Sequence, residues 1–271
     1  MGSNTFLLIT LAFYSVGALH VVLHAVARSR LLNSWTVAAT LAGFAVHSAG
    51  ISQRWTEASH FPVVGLHDAA SFLAWTLVLV FLTTYVRTRV EALGLAVHPM
   101  AFALLLISNL TPATERGDPV LRSQFLPIHA TLAFFGYAAL FVAFAMGALY
   151  LVQERELKSR SPRTFYYLIP SLERCDTISG RCVAVGFGFL TLAIVTGLLW
   201  SESARGRYWS GDAKEWAALT AWALYVVLIS ARRRARWGGR RAALLGIAGF
   251  AAVVVVFVSA SLIGSVAGAG H

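Results

Sequence analysis

Charged residues make up only 13% of this 271-residue chain, about half the fraction usual in a soluble domain, while 58% of it is hydrophobic. That scarcity excludes an ordinary soluble fold, and the length is better counted in membrane spans of about 20 apolar residues. Period-two alternation is missing from the long apolar runs, which excludes a membrane β-barrel and leaves helices. Cysteine occurs only twice, at Cys175 and Cys182, without Cys-x-x-Cys spacing. Neither a thioredoxin-like redox pair nor a thiol-attached cofactor is therefore supported. A basic n-region is absent from Met1 to Thr5, and Phe6 onward is long enough to span, so the first segment is expected to be a membrane helix instead of a cleaved signal.

What is present reads as an all-α polytopic membrane protein with eight spans. They run from Phe6 to Ala27, Trp35 to Ile51, Ala69 to Val86, Ala92 to Leu110, Ile128 to Leu151, Cys182 to Trp200, Trp216 to Ala231 and Ala242 to Val266. The whole chain, 1–271, is expected to form a single membrane domain. Gly43, Gly136, Gly147, Gly186 and Gly197, with the Gly264 and Gly268 pair, predict close helix packing. Sixteen of the 22 Lys and Arg residues fall in the loops of one face, including the run from Arg232 to Arg241. By the positive-inside rule that face is cytoplasmic, and both termini lie on the outer side. The formal charge of +10 is then topological, marking an anionic-lipid anchor and no nucleic-acid partner. The inner connection from Gln153 to Gly180 is expected to include a short surface-lying amphipathic segment.

Histidines are the next signal. His20 and His24 share one helical face of the first span, and His47 lies near the outer end of the second. An imidazole inside a bilayer needs a partner, so either a cofactor ligand, a proton relay or interhelical hydrogen bonding is open for all three. Asp68 is placed to cap the third span, and His60 and His67 to line an external pocket. His98-Pro99 predicts a kink at the start of the fourth span and no chemistry. The loop from Asn109 to Pro127 is long enough to cover an outer site. His129, at the outer mouth of the fifth span, is the best candidate for a metal ligand.

One outer loop, 201–216, has a composition that an ordinary membrane turn does not need. With its flanks it packs Trp200, Tyr208, Trp209, Trp216 and Trp222 beside Arg205, Arg207 and Lys214. Rigid aromatic faces next to cations suit a flat, apolar ligand with carboxylates, a shape that heme has. An interfacial aromatic belt is the alternative.

Leu126-Pro127-Ile128-His129-Ala130-Thr131-Leu132-Ala133-Phe134-Phe135-Gly136-Tyr137 and the stretch from Gly206 through Glu215, followed by Trp222, resemble the cytochrome c assembly family of heme-handling membrane proteins. The likeness is to its short, eight-span HemX-like members, and Ser59-His60-Phe61-Pro62 with Ser71-Phe72-Leu73-Ala74-Trp75 extends it over nearly the whole chain. The resemblance implies a platform of Tyr208, Trp209, Trp216, Asp212 and Glu215 that holds non-covalent heme b. It implies axial ligation by His129 and His271, and propionates near Arg205, Arg207 and Lys214. It further implies transfer of heme to apocytochrome c, or to another assembly subunit, at the outer face of a bacterial inner membrane. Any enzymatic part would be non-hydrolytic, within a heme lyase or synthase system. Four positions depart from the family pattern: Arg205 and Gly211 stand where it has Trp, Ala213 where it has Pro, and Ser230 where it has a membrane histidine. Two other readings follow from those departures: a structural or regulatory subunit without heme transfer, and intramembrane electron transfer through His20, His24 and His47.

Overall fold

The computed structural model describes residues 2–27, 30–113, 124–159, 168–234 and 238–268, the side chains of 20, 24–27, 30–33, 234 and 256–268 excepted. Among the described residues all regular structure is helical. The helices are α1 (Ser3–Ala27), α2 (Arg30–Ala58), α3 (Gly65–Thr88), α4 (Gly94–Leu110), α5 (Phe125–Lys158), α6 (Leu172–Arg205), α7 (Ala213–Arg234) and α8 (Gly239–Gly268), with a 3-10 turn at Glu91–Leu93. They fall on the eight expected segments, because a long apolar run in lipid must satisfy its backbone hydrogen bonds within itself, which a helix does. Among the described residues five stretches, Ser3–Leu23, Gly65–Thr88, Glu91–Leu110, Phe125–Lys158 and Leu172–Arg205, are long and apolar enough to cross a bilayer. Pro99 lies inside α4, with helix on both sides of it. The helices α5 and α6 reach Lys158 and back to Leu172, and 160–167 between them, where a surface-lying segment is expected, lies outside the described residues. Ser171 caps α6, its hydroxyl accepting from the Arg174 N–H. Tyr166 and Tyr167, the surroundings of Gly264 and Gly268, and most of the loop before Pro127 lie outside what the structure describes.

The helices cluster in two compact units, Met1–Arg122 with Gln153–Pro170, and Ser123–Val152 with Ser171–His271. In the first, α1 packs against α2 along a seam of small residues. A Cβ at Gly43 would stand 2.8 Å from Phe13 Cβ, and one at Gly50 would stand 2.9 Å from Phe6 Cβ. Glu57 at the end of α2 accepts from the backbone and hydroxyl of Ser3, capping α1 from its neighbour. Phe44, Trp75 and Phe72 stack in sequence, and the Trp75 indole N–H donates to Ser48 Oγ.

The second unit is built on Leu140, Ala143, Val183, Ala221, Tyr225 and Val253, contributed by α5, α6, α7 and α8. Trp222 stacks on Phe187 and donates to Thr191 Oγ1, which makes it a packing residue of α7. The α5 and α6 backbones meet at Gly136 and Gly186. A Cβ at Gly186 would lie 2.7 Å from Leu140 Cγ and 3.1 Å from the Gly136 carbonyl oxygen. A carbonyl cannot rotate away as a side chain can, so Gly186→Val is expected to destabilise the protein by about 1–3 kcal/mol. Denaturant or thermal unfolding in detergent reads this, and an unchanged midpoint would show that the two helices separate freely.

Candidate functional site

The second unit concentrates the candidate residues at the N-terminal end of α5, the C-terminal end of α6 and the N-terminal end of α7. Pro127 sits in the first turn of α5, where its missing N–H has no helical acceptor, and His129 follows half a turn later. The His129 ring lies directly against α6. Its Nδ1–H donates to the Ala193 carbonyl at 2.7 Å, and a Cβ at Gly197 would stand 2.9 Å from ring atoms Cε1 and Nδ1. Gly197 is therefore what allows the ring so close to the helix backbone. A carbonyl only accepts, so Nδ1 carries the proton and Nε2 keeps its lone pair, the arrangement that orients a histidine for a metal. Trp200, three residues along α6, lies parallel to the imidazole with 6.3 Å between ring centroids and 7° between planes.

The next turn links this pair to the aromatic loop. Arg205 ends α6 with its guanidinium carbon 5.5 Å from the centroid of the Trp200 ring. The same guanidinium donates to Ser210 Oγ at 2.8 Å and to Asp212 Oδ2 at 3.1 Å, and stands 4.0 Å from Glu215 Oε1. Gly206 then stops the helix in a left-handed conformation, φ 70°, its N–H donating to the Glu202 carbonyl. The expected loop 201–216 is thus shorter, 206–212, because the glycine and the next cap let both helices run on.

Asp212 and Glu215 have a definite task. The Glu215 N–H donates to Asp212 Oδ1 at 2.9 Å, and Glu215 Oε2 accepts from the Ser210 and Gly211 N–H groups, both at 2.8 Å. Together they form a reciprocal cap for α7, in which two carboxylates satisfy backbone donors at the positive end of the helix. Gly211 has φ 75°, a backbone conformation in which a tryptophan would be strained. Ala213 occupies the first helical position, where Pro or Ala are both accommodated. Tyr208, Trp209 and Trp216 are 58, 37 and 58% exposed, with Trp209 and Trp216 edge to face at 5.4 Å. Arg207 and Lys214 are exposed and, among the described residues, form no ion pair.

Burial alone would raise the Asp212 pKa, but the Glu215 N–H and the Arg205 guanidinium outweigh it and hold the carboxyl below its ordinary value of 3.8. A carboxyl lowered on folding contributes stability that is complete above its unfolded value and is lost as the pH falls through the folded one. The loop is therefore expected to hold its geometry down to about pH 4 and to loosen below. Tryptophan fluorescence of the wild type and Asp212→Asn reads this, the variant lacking that acid transition.

Histidines of the first unit behave differently. His47 is fully buried, with Nδ1 3.4 Å from the Tyr14 hydroxyl and Nε2 3.0 Å from Ser71 Oγ. His98 is likewise bonded on both nitrogens, Nδ1–H to the Gly94 carbonyl at 2.9 Å and Nε2 to Thr40 Oγ1 at 2.8 Å. Neither has a nitrogen left for a metal without breaking a buried hydrogen bond. His67 Nδ1–H donates to the Ser108 and Thr111 carbonyls, while its Nε2 makes no hydrogen bond and lies 3.9 Å from Asp68 Oδ1; the residue lines a narrow cleft with Arg54, Asp68 and Ser71. His60 turns Nδ1–H onto the Phe61 carbonyl and does not line that cleft. Asp68 does not cap α3, which starts at Gly65; its carboxylate is held by Arg54 at 2.9 and 3.3 Å. The His20 and His24 side chains and the whole of His271 lie outside the described residues. Sequence reasoning counted Trp200 among the aromatic residues flanking the loop but did not pair it with His129, and it did not single out the Ala193 carbonyl; the visible signal was a glycine, Gly197, one turn past Ala193 and just before Trp200.

Comparison with known proteins gives a consistent answer. The sequence pattern of the family described as "Cytochrome C assembly protein" matches residues 63–266. The "Cytochrome c biogenesis protein CcsA" of a Synechococcus species is 30% identical over 243 residues, covering 80% of each chain. Its counterpart in Microcystis aeruginosa is 29% identical, covering 80% of this chain and 81% of the relative. Among solved structures, "Cytochrome c Heme Lyase CcmF" superposes with a TM-score of 0.70 at 15% identity over 95% of this chain, a likeness of fold. This chain spans about half the length of that protein, 47%.

Proposed function

The chain belongs to the cytochrome c assembly protein family, as a multi-pass helical membrane protein, and from that premise we propose that it binds heme b non-covalently and presents it for cytochrome c assembly. The observation that carries this reading is the His129 ring, tied through Nδ1 to a helix carbonyl so that Nε2 keeps its lone pair, and parallel to Trp200, over which lies an Arg205 anchored in the aromatic loop. Bound heme would supply the iron and the vinyl groups; the chain's own residues supply orientation. His129, through Nε2, and His271 would hold the iron. Tyr208, Trp209 and Trp216 take the flat face of the macrocycle. Arg207 and Lys214 take the propionates, since Arg205 is already engaged by Asp212 and Ser210. Asp212 and Glu215 hold the shelf to the start of α7, and no step needs them as acids. The partner is an apocytochrome c, or another assembly subunit, meeting the shelf at the outer face of a bacterial inner membrane.

Absorption spectra of the full chain purified in detergent and titrated with hemin, oxidised and then reduced, test this. A low-spin spectrum saturating at one heme is the expected result, and no spectral change would overturn it. The engagement of Arg205 and the left-handed Gly211, at two positions where the family pattern has Trp, favour a second reading: a structural or regulatory subunit of the same fold that carries no heme. It predicts the featureless titration. The reading in which His47 carries electrons within the membrane loses support from the two hydrogen bonds on its ring.

A further inference from the structure

Three side chains form a column in the second unit, and only its two ends have a role so far. At one end is the His129 imidazole; at the other is the loop that presents Trp209 and Trp216. Between them, the Trp200 ring lies 7° from parallel with the imidazole, and the Arg205 guanidinium lies over the Trp200 ring at 5.5 Å. Among the described residues Arg205 bridges Trp200 and the loop, and Trp200 bridges Arg205 and the His129 ring.

We propose that Arg205 is a positioning residue, which sets the orientation of the His129 ring from the aromatic loop by way of Trp200. The inference rests on the heme-ligand reading of His129. The physical case is one of constraint. A single hydrogen bond, Nδ1–H to the Ala193 carbonyl, leaves an imidazole free to swing about the N–H direction. The Gly197 backbone limits that swing by its closeness to Cε1 and Nδ1, and the Trp200 ring, parallel and offset at 6.3 Å between centroids, limits it further. The Trp200 ring itself is not pinned by its polar atom, because Nε1–H is buried and has no partner. Its plane is held instead by the guanidinium over it. That guanidinium is fixed in turn by Ser210 Oγ and Asp212 Oδ2, groups of the same cap that sets Glu215 and the start of α7. A planar cation stacked on indole is a stiffer support than a flexible ammonium would be. Displacement of the loop would thus reach the His129 ring through two stacked contacts, and arrangement of the loop and availability of Nε2 are linked.

The test is a double-mutant cycle on the full chain in detergent, with Arg205→Gln, Trp200→Leu and the pair, read as hemin affinity. Each single variant is expected to weaken hemin binding about tenfold, and the double variant no further than Trp200→Leu alone. Additive losses would mean that Arg205 meets the ligand itself and would overturn the proposal, as would an Arg205→Gln variant that binds like the wild type. Trp200→Phe keeps a flat ring without the indole N–H and is expected to bind within about twofold of the wild type; a Trp200→Phe loss equal to that of Trp200→Leu would also overturn it. A second measurement needs no heme: diethyl pyrocarbonate modification of His129, followed by mass spectrometry. Its rate is expected to rise several-fold in Arg205→Gln and in Trp200→Leu, and an unchanged rate would overturn the positioning role. Should the wild type take up no hemin, the heme-ligand reading fails, and the modification rates decide this inference by themselves.

Discussion

Replacing His129 by alanine is expected to abolish the low-spin heme spectrum and to weaken hemin binding by on the order of a hundredfold or more, the loss that even supporting residues of a metal ligand can reach. The side chain sits at the surface of α6 in a recess that Gly197 opens, so its removal deletes a ligand without disturbing the packed helices beneath it. Unfolding of the variant should stay close to that of the wild type, which separates loss of the ligand from loss of the fold. Gly197→Val provides the converse: a Cβ there would stand 2.9 Å from the ring, forcing the imidazole off the Ala193 carbonyl while His129 remains in the chain. The same spectroscopic loss is expected from both. A His129→Ala protein that kept its heme spectrum unchanged would end the assignment of the iron to this residue.

The second large effect lies in the other unit. Asp68→Ala is expected to destabilise the protein by about 3–5 kcal/mol, because it removes the carboxylate that Arg54 grips with two nitrogens. The Asp68 side chain is 1% exposed and that of Arg54 is 14% exposed, so a largely buried guanidinium would lose this counter-charge. Replacing both by leucine should recover much of the loss, since the penalty comes from stranding one charge and not from missing the pair. Unfolding midpoints of the two singles and the double, measured in one detergent, check this. A harmless Asp68→Ala would show that water already reaches the pair.

Legibility in the sequence varied with the range of the interaction concerned. The helices α1, α3, α5 and α6 cover their expected segments because an uninterrupted apolar run is a local property. The start of α7 was equally local: Asp212 and Glu215 stand three residues apart, the spacing a reciprocal cap requires. The glycines at 43, 136, 186 and 197 announced close approach, and all four have a neighbour that a Cβ would crowd. What they approach was not readable. Gly197 makes room for a histidine 68 positions earlier in the chain, which only the meeting of α5 and α6 could show.

The roles of the buried polar groups were still less legible. Sequence placed Asp68 at the head of a helix and assigned it a cap, but Arg54 arrives from α2 and takes the carboxylate. His47, His67 and His129 are equivalent as letters. One has both ring nitrogens bonded, one leaves Nε2 without a hydrogen bond, and one donates through Nδ1 to a helix carbonyl and keeps Nε2 for a ligand.

The order of residues along the chain determined the class of the protein, the placing of its helices, and the chemistry gathered near 200–216. Spacing and apolarity act within a few turns of one helix and need nothing from elsewhere. Tertiary structure decided which imidazole keeps a lone pair, which carboxylate balances which cation, and how Arg205 reaches toward His129 by way of Trp200. Those results depend on partners brought from other helices, whose identity is fixed only when the backbones pack.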